Sequence, residues 1–154
     1  DYQTLAPEEV YRSIKIKNQV VTEDPLEKGL RKILNFGHTI GHAVESYALT
    51  NSKKPLTHGE AIAIGMILES FLSLDKKMLE LNEYIEIKNT IKSFFGTVEI
   101  VEEDLKPICD LLIHDKKNEY GKIQFALLDG IGKVKINQEV SIDIIMSAFE
   151  DYKS

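Results

Sequence analysis

Hydrophobic positions along this chain recur mostly at helical spacing. From about Pro7 to Thr22, Val10, Ile14, Ile16 and Val20 predict a helix with those four side chains turned partly inward. The next stretch, 24–48, opens with Asp24 as N-cap, Pro25 at the first helical position and Glu27 at the third. It predicts one continuous helix. Leu30, Ile33, Leu34, Ile40 and Val44 make an apolar stripe, and Gly37 and Gly41 stand one turn apart where a neighbouring helix can approach closely. A second row is polar: Glu27, Arg31, Asn35, His38, His42 and Glu45 follow at steps of four, four, three, four and three. At about 100° per residue, all six fall within an arc of roughly 80°.

Beyond a polar loop, NSKKPL, Thr57 and Glu60 form a T-x-x-E capping box, so His58 opens another helix. From Ala61 to Leu68 that helix is apolar almost all round, which predicts a buried central position. A helix from about Leu79 to Phe95 follows, closed by Gly96, with Leu81, Ile85, Ile91 and Phe95 as its core face. The stretch from Glu102 to His114 is a further amphipathic helix, and it delivers His114, Asp115, Lys116 and Lys117 at its C-terminal end. KIQFALL and KVKI flank Asp129-Gly130-Ile131-Gly132 and predict a β-hairpin, and a last helix runs from Ser141 as N-cap to about Tyr152. The pattern predicts a mainly α fold, an irregular multi-helix bundle with a small β-hairpin element.

Composition changes this picture little. The 154 residues suit one domain, and no apolar run is long enough for a bilayer span. A net charge of -6 argues against general nucleic-acid binding. The one cysteine, Cys109, permits no internal disulfide, reads as a small core residue and fits a reducing cytoplasm. The chain opens at Asp1 without a Met or a signal-peptide pattern, as a piece of a longer protein would. Gly130-x-Gly132 lacks the third glycine of a dinucleotide fingerprint and reads as a turn.

The chemistry lies in the histidines. Glu27, Arg31 and Glu45 are adequately explained as surface groups, the first two as an i,i+4 ion pair. Exposed helix faces usually carry Lys, Glu or Gln, so His38 and His42 one turn apart beside Asn35 are unusual. His58, at the mouth of a buried helix, is well placed to face them. Three histidines around a helix N-terminus suit a divalent metal and an anion. Spacing alone pairs His38 with His42 as metal ligands.

The run RKILNFGHTIGHAVE followed by LTHGEAIAIGM resembles the signature of the 3-dehydroquinate synthases. IKIKNQVVTEDPLEKG before it and HDKKNEYGKIQFALLDGIGKV after it extend the likeness over most of the chain. The resemblance implies that residues 1–154 are a C-terminal metal- and substrate-binding helical domain, with the nucleotide-binding domain N-terminal to it and outside this chain. It implies a phosphate-eliminating lyase of the shikimate pathway, which converts 3-deoxy-D-arabino-heptulosonate 7-phosphate to 3-dehydroquinate. In that family NAD oxidises a ring hydroxyl, phosphate is eliminated, the hydride returns, and the ring opens and recloses by an aldol step.

By the same resemblance His38 and His58 match zinc ligands, and His42 matches a group that contacts substrate and takes part in proton transfer. Glu27 matches an active-site carboxylate. Lys17, Arg31, Asn35 and one lysine of Lys116 and Lys117 match positions that hold the anionic sugar-acid phosphate. The third zinc ligand, a glutamate, and the NAD site lie upstream of this chain, so the isolated domain is expected to bind metal weakly and to be inactive. A cytoplasmic homodimer that binds neither nucleic acid nor membrane is the implied full-length form. Three alternatives stand beside this reading: another sugar-phosphate cyclase, an iron-type alcohol or glycerol dehydrogenase, and a non-catalytic helical interaction module with its histidines packed in the core. Asn35-Phe36-Gly37 before His38 and the downstream Asp115-Lys116-Lys117 favour the synthase over the dehydrogenase.

Overall fold

The computed structural model describes residues 7–51, 55–115 and 123–154. The order of elements is α1 (Pro7–Glu23), a 3-10 helix (Leu30–Asn35), α2 (His38–Asn51), α3 (His58–Asp75), α4 (Leu81–Phe95), α5 (Glu102–Asp115), β1 (Gln124–Leu128), β2 (Val134–Glu139) and α6 (Ile142–Lys153). The mainly helical fold with one small hairpin is therefore the predicted one. Two compact units are present, one running to Leu34 and a second spanning Asn35–Ser154.

In the first unit α1 forms where expected, but none of its residues is buried, and Val10, Ile14 and Ile16 are exposed. The expectation of a partly inward stripe fails there, since among the described residues of this unit none buries those side chains. Val20, near the end of α1, is half-buried.

The single helix expected over 24–48 is also corrected. Asp24 does cap, but it caps a turn: its carboxylate accepts hydrogen bonds from the backbone N–H of Lys28 at 3.0 Å, Gly29 at 2.8 Å and Arg31 at 3.0 Å. Those bonds hold its carboxyl below the usual range, that to Lys28 first. Glu27 adopts φ +53 within the turn, a left-handed conformation that no α-helix continues through. A 3-10 helix follows, and Gly37 at φ +79 separates it from α2.

Why the chain breaks at Gly37 is a matter of packing in the second unit. A Cβ there would lie 2.4 Å from Met66 Cγ, and one on Gly65 would lie 2.0 Å from the Gly37 carbonyl oxygen and 2.7 Å from Gly41 N. α2 and α3 thus meet backbone to backbone, which only glycine allows. The predicted close approach at Gly37 and Gly41 is real, and its partner is Gly65.

α3 is the central helix, as its apolar sequence predicts, packed against α2, α4, α6 and β1. Its Ile64, Ile67, Leu68 and Leu72 share one core with Ile40 and Val44 of α2, Leu105 and Ile108 of α5, Phe125 of β1, and Ile145 and Phe149 of α6. Cys109 joins that core, as expected of a small apolar residue. Glu69 interrupts the apolar run of α3 and is completely buried. Its two carboxylate oxygens accept from Gly37 N at 2.7 Å and Ile40 N at 3.0 Å, so α3 supplies the N-terminal cap of α2. One turn on, buried Ser73 donates to the Glu69 carbonyl and accepts from Leu128 N, which ties β1 to the same helix.

α4 ends at Gly96 as predicted, yet its core face is rotated from the expected one. Leu81, Ile85 and Phe95 are exposed, whereas Tyr84 is buried in a small cluster with Leu79 and Leu128. The Tyr84 ring reaches Phe71 of α3 at 5.9 Å between centroids, and Ile87 and the predicted Ile91 share the inward face with it. β1 and β2 pair antiparallel around the Gly130 and Gly132 turn, with an irregularity between Phe125 and Leu127 opposite the left-handed Asn137.

Gly65→Ala is expected to force α2 and α3 apart and to destabilise the domain by about 1–3 kcal/mol or more, read as a fall in the midpoint of chemical unfolding; an unchanged midpoint would contradict the close approach. The Asp24 cap carries a pH signature of definite sign. Because its carboxyl lies below the ordinary aspartate value of 3.8, the turn it holds is stabilised above that pH, and the stabilisation is lost as pH falls through the depressed value. Hydrogen-exchange protection of the Lys28, Gly29 and Arg31 amides should follow that course in the wild type, and Asp24→Ala should show the weakened protection without that pH dependence.

Candidate metal and substrate site

The three histidines come from two helix starts. His38 is the first residue of α2 and His42 lies one turn later, while His58 is the first residue of α3. The position of His58 follows from the predicted capping box: the Glu60 carboxylate accepts from Thr57 N at 2.8 Å, and the Thr57 hydroxyl accepts from Glu60 N at 3.4 Å. The position of His38 follows from Gly37 and the buried Glu69.

These constraints bring the imidazoles into a nearly equilateral triangle. Ring centroids are 5.5 Å apart for His38 and His42, 5.8 Å for His38 and His58, and 5.5 Å for His42 and His58. This grouping is incompatible with histidines packed away in a core: the His42 and His58 side chains are 42% and 55% exposed. His38 Nδ1 lies 3.1 Å from the Phe36 carbonyl. Since a carbonyl only accepts, that nitrogen carries the proton and Nε2 keeps the lone pair.

Glu45, grouped by the sequence with the surface charges, is the fourth member. Its Oε2 lies 3.3 Å from His42 Nδ1 and 3.2 Å from His58 Nδ1. The His58 contact is the main cause that holds its carboxyl below the usual range, with His42 acting in the same direction and partial burial opposing both. Donor atoms of His42, Glu45 and His58 lie within 4.8 Å of one another. Imidazole nitrogens and a carboxylate oxygen are the kind of donor that suits zinc and its divalent neighbours, and this cluster includes His58 but not His38, which the family resemblance makes the other ligand. Two adjoining helix N-termini add partial positive charge, which favours an anionic ligand.

The remaining predicted site residues are distributed between the units. Lys17 on α1, Glu27 and Arg31 belong to the first. There the Arg31 guanidinium donates to the Pro25 carbonyl at 3.2 Å and lies 3.9 Å from the Glu27 carboxylate. Asn35, half-buried, opens the second unit at the end of the 3-10 helix. Lys116 and Lys117 lie outside the described residues, as does the side chain of His114. Sequence reasoning missed the linking role of Glu45 and the cap supplied by Glu69. The signals were present as the H-x-x-E spacing of His42 and Glu45 and as an acid, Glu69, set directly after the apolar run 61–68.

The hairpin holds Gly130 and Gly132 in a tight antiparallel turn, where Asp129 N donates to the Lys133 carbonyl at 2.9 Å. It has none of the strand-to-helix geometry of a dinucleotide fingerprint, so these glycines do not fit NAD. Among the described residues no helix is long and apolar enough to cross a membrane.

Comparison with known proteins agrees with the motifs. A 3-dehydroquinate synthase of Parabacteroides distasonis is 38% identical over 94% of this chain and 40% of its own length. That of Thermodesulfovibrio yellowstonii is 43% identical over 86% of this chain and 36% of its own length. That of Helicobacter pylori strain G27 is 37% identical over 99% and 43%. The chain thus spans about two fifths of the length of these curated relatives. Among solved structures, 2-deoxy-scyllo-inosose synthase complexed with carbaglucose-6-phosphate, NAD+ and Co2+ superposes with TM-score 0.76 at 26% identity, over 96% of this chain and 42% of that one. A 2-epi-5-epi-valiolone synthase from Streptomyces hygroscopicus subsp. jinggangensis 5008, at TM-score 0.74 and 23% identity over 93% of this chain and 39% of that one, shares the fold. The profile of the 3-dehydroquinate synthase C-terminal family matches residues 2–118, and the chain belongs to that family.

Proposed function

We propose that this chain is the metal- and substrate-binding portion of a 3-dehydroquinate synthase. The parent would be a lyase that closes a carbocycle with loss of phosphate. The observation that carries the reading is the triangle of His38, His42 and His58 at two adjoining helix starts, in a chain of this family. Its support includes a structural relative, at 26% identity, that was solved with a sugar-phosphate analogue, NAD+ and a divalent metal.

In this reading His38 and His58 hold the divalent metal, zinc by preference, and the remaining donor comes from the portion of the enzyme outside this chain. When bound, the metal supplies Lewis acidity at the substrate hydroxyl and NAD supplies the hydride acceptor. His42, adjacent to both ligands, contacts the substrate and holds or moves a proton through Nε2. The Glu45 acceptor faces Nδ1 of His42 and leaves that second nitrogen as the proton carrier.

The helix N-termini at His38 and His58 favour the negative charge of a phosphate or carboxylate. Arg31 presents a guanidinium suited to a carboxylate or phosphate, held in orientation by Pro25 and Glu27. Lys17, Asn35 and one of Lys116 and Lys117 complete the binding of the anionic substrate, and Glu27 is the active-site carboxylate. The nucleotide site belongs to the missing portion of the enzyme, so this chain alone is inactive, and the complete enzyme is a cytoplasmic homodimer.

Zinc content and turnover of the full-length protein test the division of roles. His38→Ala and His58→Ala should lose zinc and activity together, whereas His42→Ala should keep its zinc while kcat falls by about 10²–10⁴-fold. Equal zinc loss in all three variants would overturn the assignment.

A further inference from the structure

One oxygen of Glu45 serves two imidazoles that belong to different helices. Oε2 lies 3.3 Å from Nδ1 of His42, on its own helix, and 3.2 Å from Nδ1 of His58, across the helix pair. The Glu45 side chain is 23% exposed, less than either histidine it touches. A carboxylate oxygen only accepts, so the Nδ1 that faces it in each ring carries a proton, and in the neutral form of the imidazole the lone pair is then on Nε2. The Phe36 carbonyl imposes the same choice on His38. All three histidines are thereby set in one tautomer by three acceptor contacts, two of which converge on Glu45.

We propose that Glu45 is a positioning residue for this site, whose single shared oxygen locks His42 and His58 in orientation and in the Nδ1–H tautomer. Nε2 of His58 is then presented as a metal donor and Nε2 of His42 as the proton carrier. The proposal rests on the reading of His42 and His58 given above, and extends it to a residue that spacing alone classes with the surface charges. A carboxylate or carbonyl behind a ligating imidazole fixes ring orientation and raises ligand basicity, and its loss typically costs about 10–100-fold in metal affinity. Here the same group also joins the metal ligand to the proton carrier. The competing arrangement makes Glu45 itself a metal ligand, since donor atoms this close also suit neighbouring positions around one ion. It would require His42 and His58 to ligate through the nitrogens that now face the carboxylate.

The two arrangements separate in the full-length enzyme with Glu45→Ala and Glu45→Gln. The amide oxygen of Gln keeps a neutral acceptor that both rings can share, but it is a poor substitute for a carboxylate ligand. In the positioning role, Glu45→Ala lowers zinc affinity by about 10–100-fold and lowers kcat more than it raises KM, while Glu45→Gln restores most of both. Nitrogen NMR of the imidazoles in metal-free protein supplies a readout independent of turnover. His42 and His58 should show a protonated Nδ1 in wild type and Gln, and a shift toward the Nε2–H form in Ala. Wild-type tautomers and zinc affinity in Glu45→Ala would overturn the proposal and return Glu45 to a surface ion pair. Zinc loss as complete in Gln as in Ala would overturn it in favour of direct ligation. Failure of the functional reading would look different, because His38→Ala or His58→Ala would then retain zinc whatever the tautomers do.

Discussion

A buried carboxylate organises this domain. Glu69 sits completely buried in the central helix and accepts hydrogen bonds from Gly37 and Ile40, the backbone groups at the start of α2. Removing a carboxylate from water costs several kcal/mol unless its oxygens find donors, and unpaired N–H groups at a buried helix start are costly as well. Each liability satisfies the other. The arrangement requires α2 and α3 to touch at Gly37, Gly41 and Gly65, because any Cβ at Gly65 would overlap the backbone opposite. Polar pairing and steric fit therefore fix one relative placement of the two helices.

That placement is what makes the site. His38 follows immediately upon the capped Gly37, His42 is one turn further, and His58 is set by its own capping box at the start of the partner helix. None of the three side chains needs a loop to aim it. Helix starts are favourable ground for anions, and the same backbone geometry that orients the imidazoles orients the N–H groups around them. Two helix N-termini that carry three imidazoles suit a ligand with negative charge to be held. The chain spans only about two fifths of its curated relatives, which accords with a reading in which the remaining ligand and the nucleotide lie elsewhere.

Local signals were the legible ones. The Thr57–Glu60 box, the Gly96 stop and the Gly130–Gly132 turn each involve neighbours in sequence, and each forms where the residues imply. The apolar run from Ala61 to Leu68 does mark the buried helix, and the histidine signature does mark the family. Arithmetic on helical spacing failed at Gly37, because a periodic pattern continues on paper through a break that tertiary contact imposes. Only His38, His42 and Glu45 of the six residues placed on one face share an α-helix. Of the predicted inward face of α4 only Ile91 packs against the core, and the rest of that face is made by Tyr84, which reaches Phe71, and Ile87. Likewise Val10, Ile14 and Ile16 have the pattern of a buried stripe, yet no described residue of their own unit covers them.

The dependence of the metal site on the buried cap is tested most directly by zinc affinity in Glu69→Gln, measured in the full-length protein alongside its unfolding free energy. A glutamine offers one acceptor and turns its amide N–H toward the other backbone N–H, so stability should fall by about 1–3 kcal/mol. Zinc affinity should fall with it, although no histidine has been altered and the folded protein remains the dominant species. A Glu69→Gln protein that lost this stability yet bound zinc as tightly as wild type would show that the start of α2 need not be held by Glu69 for the histidines to assemble.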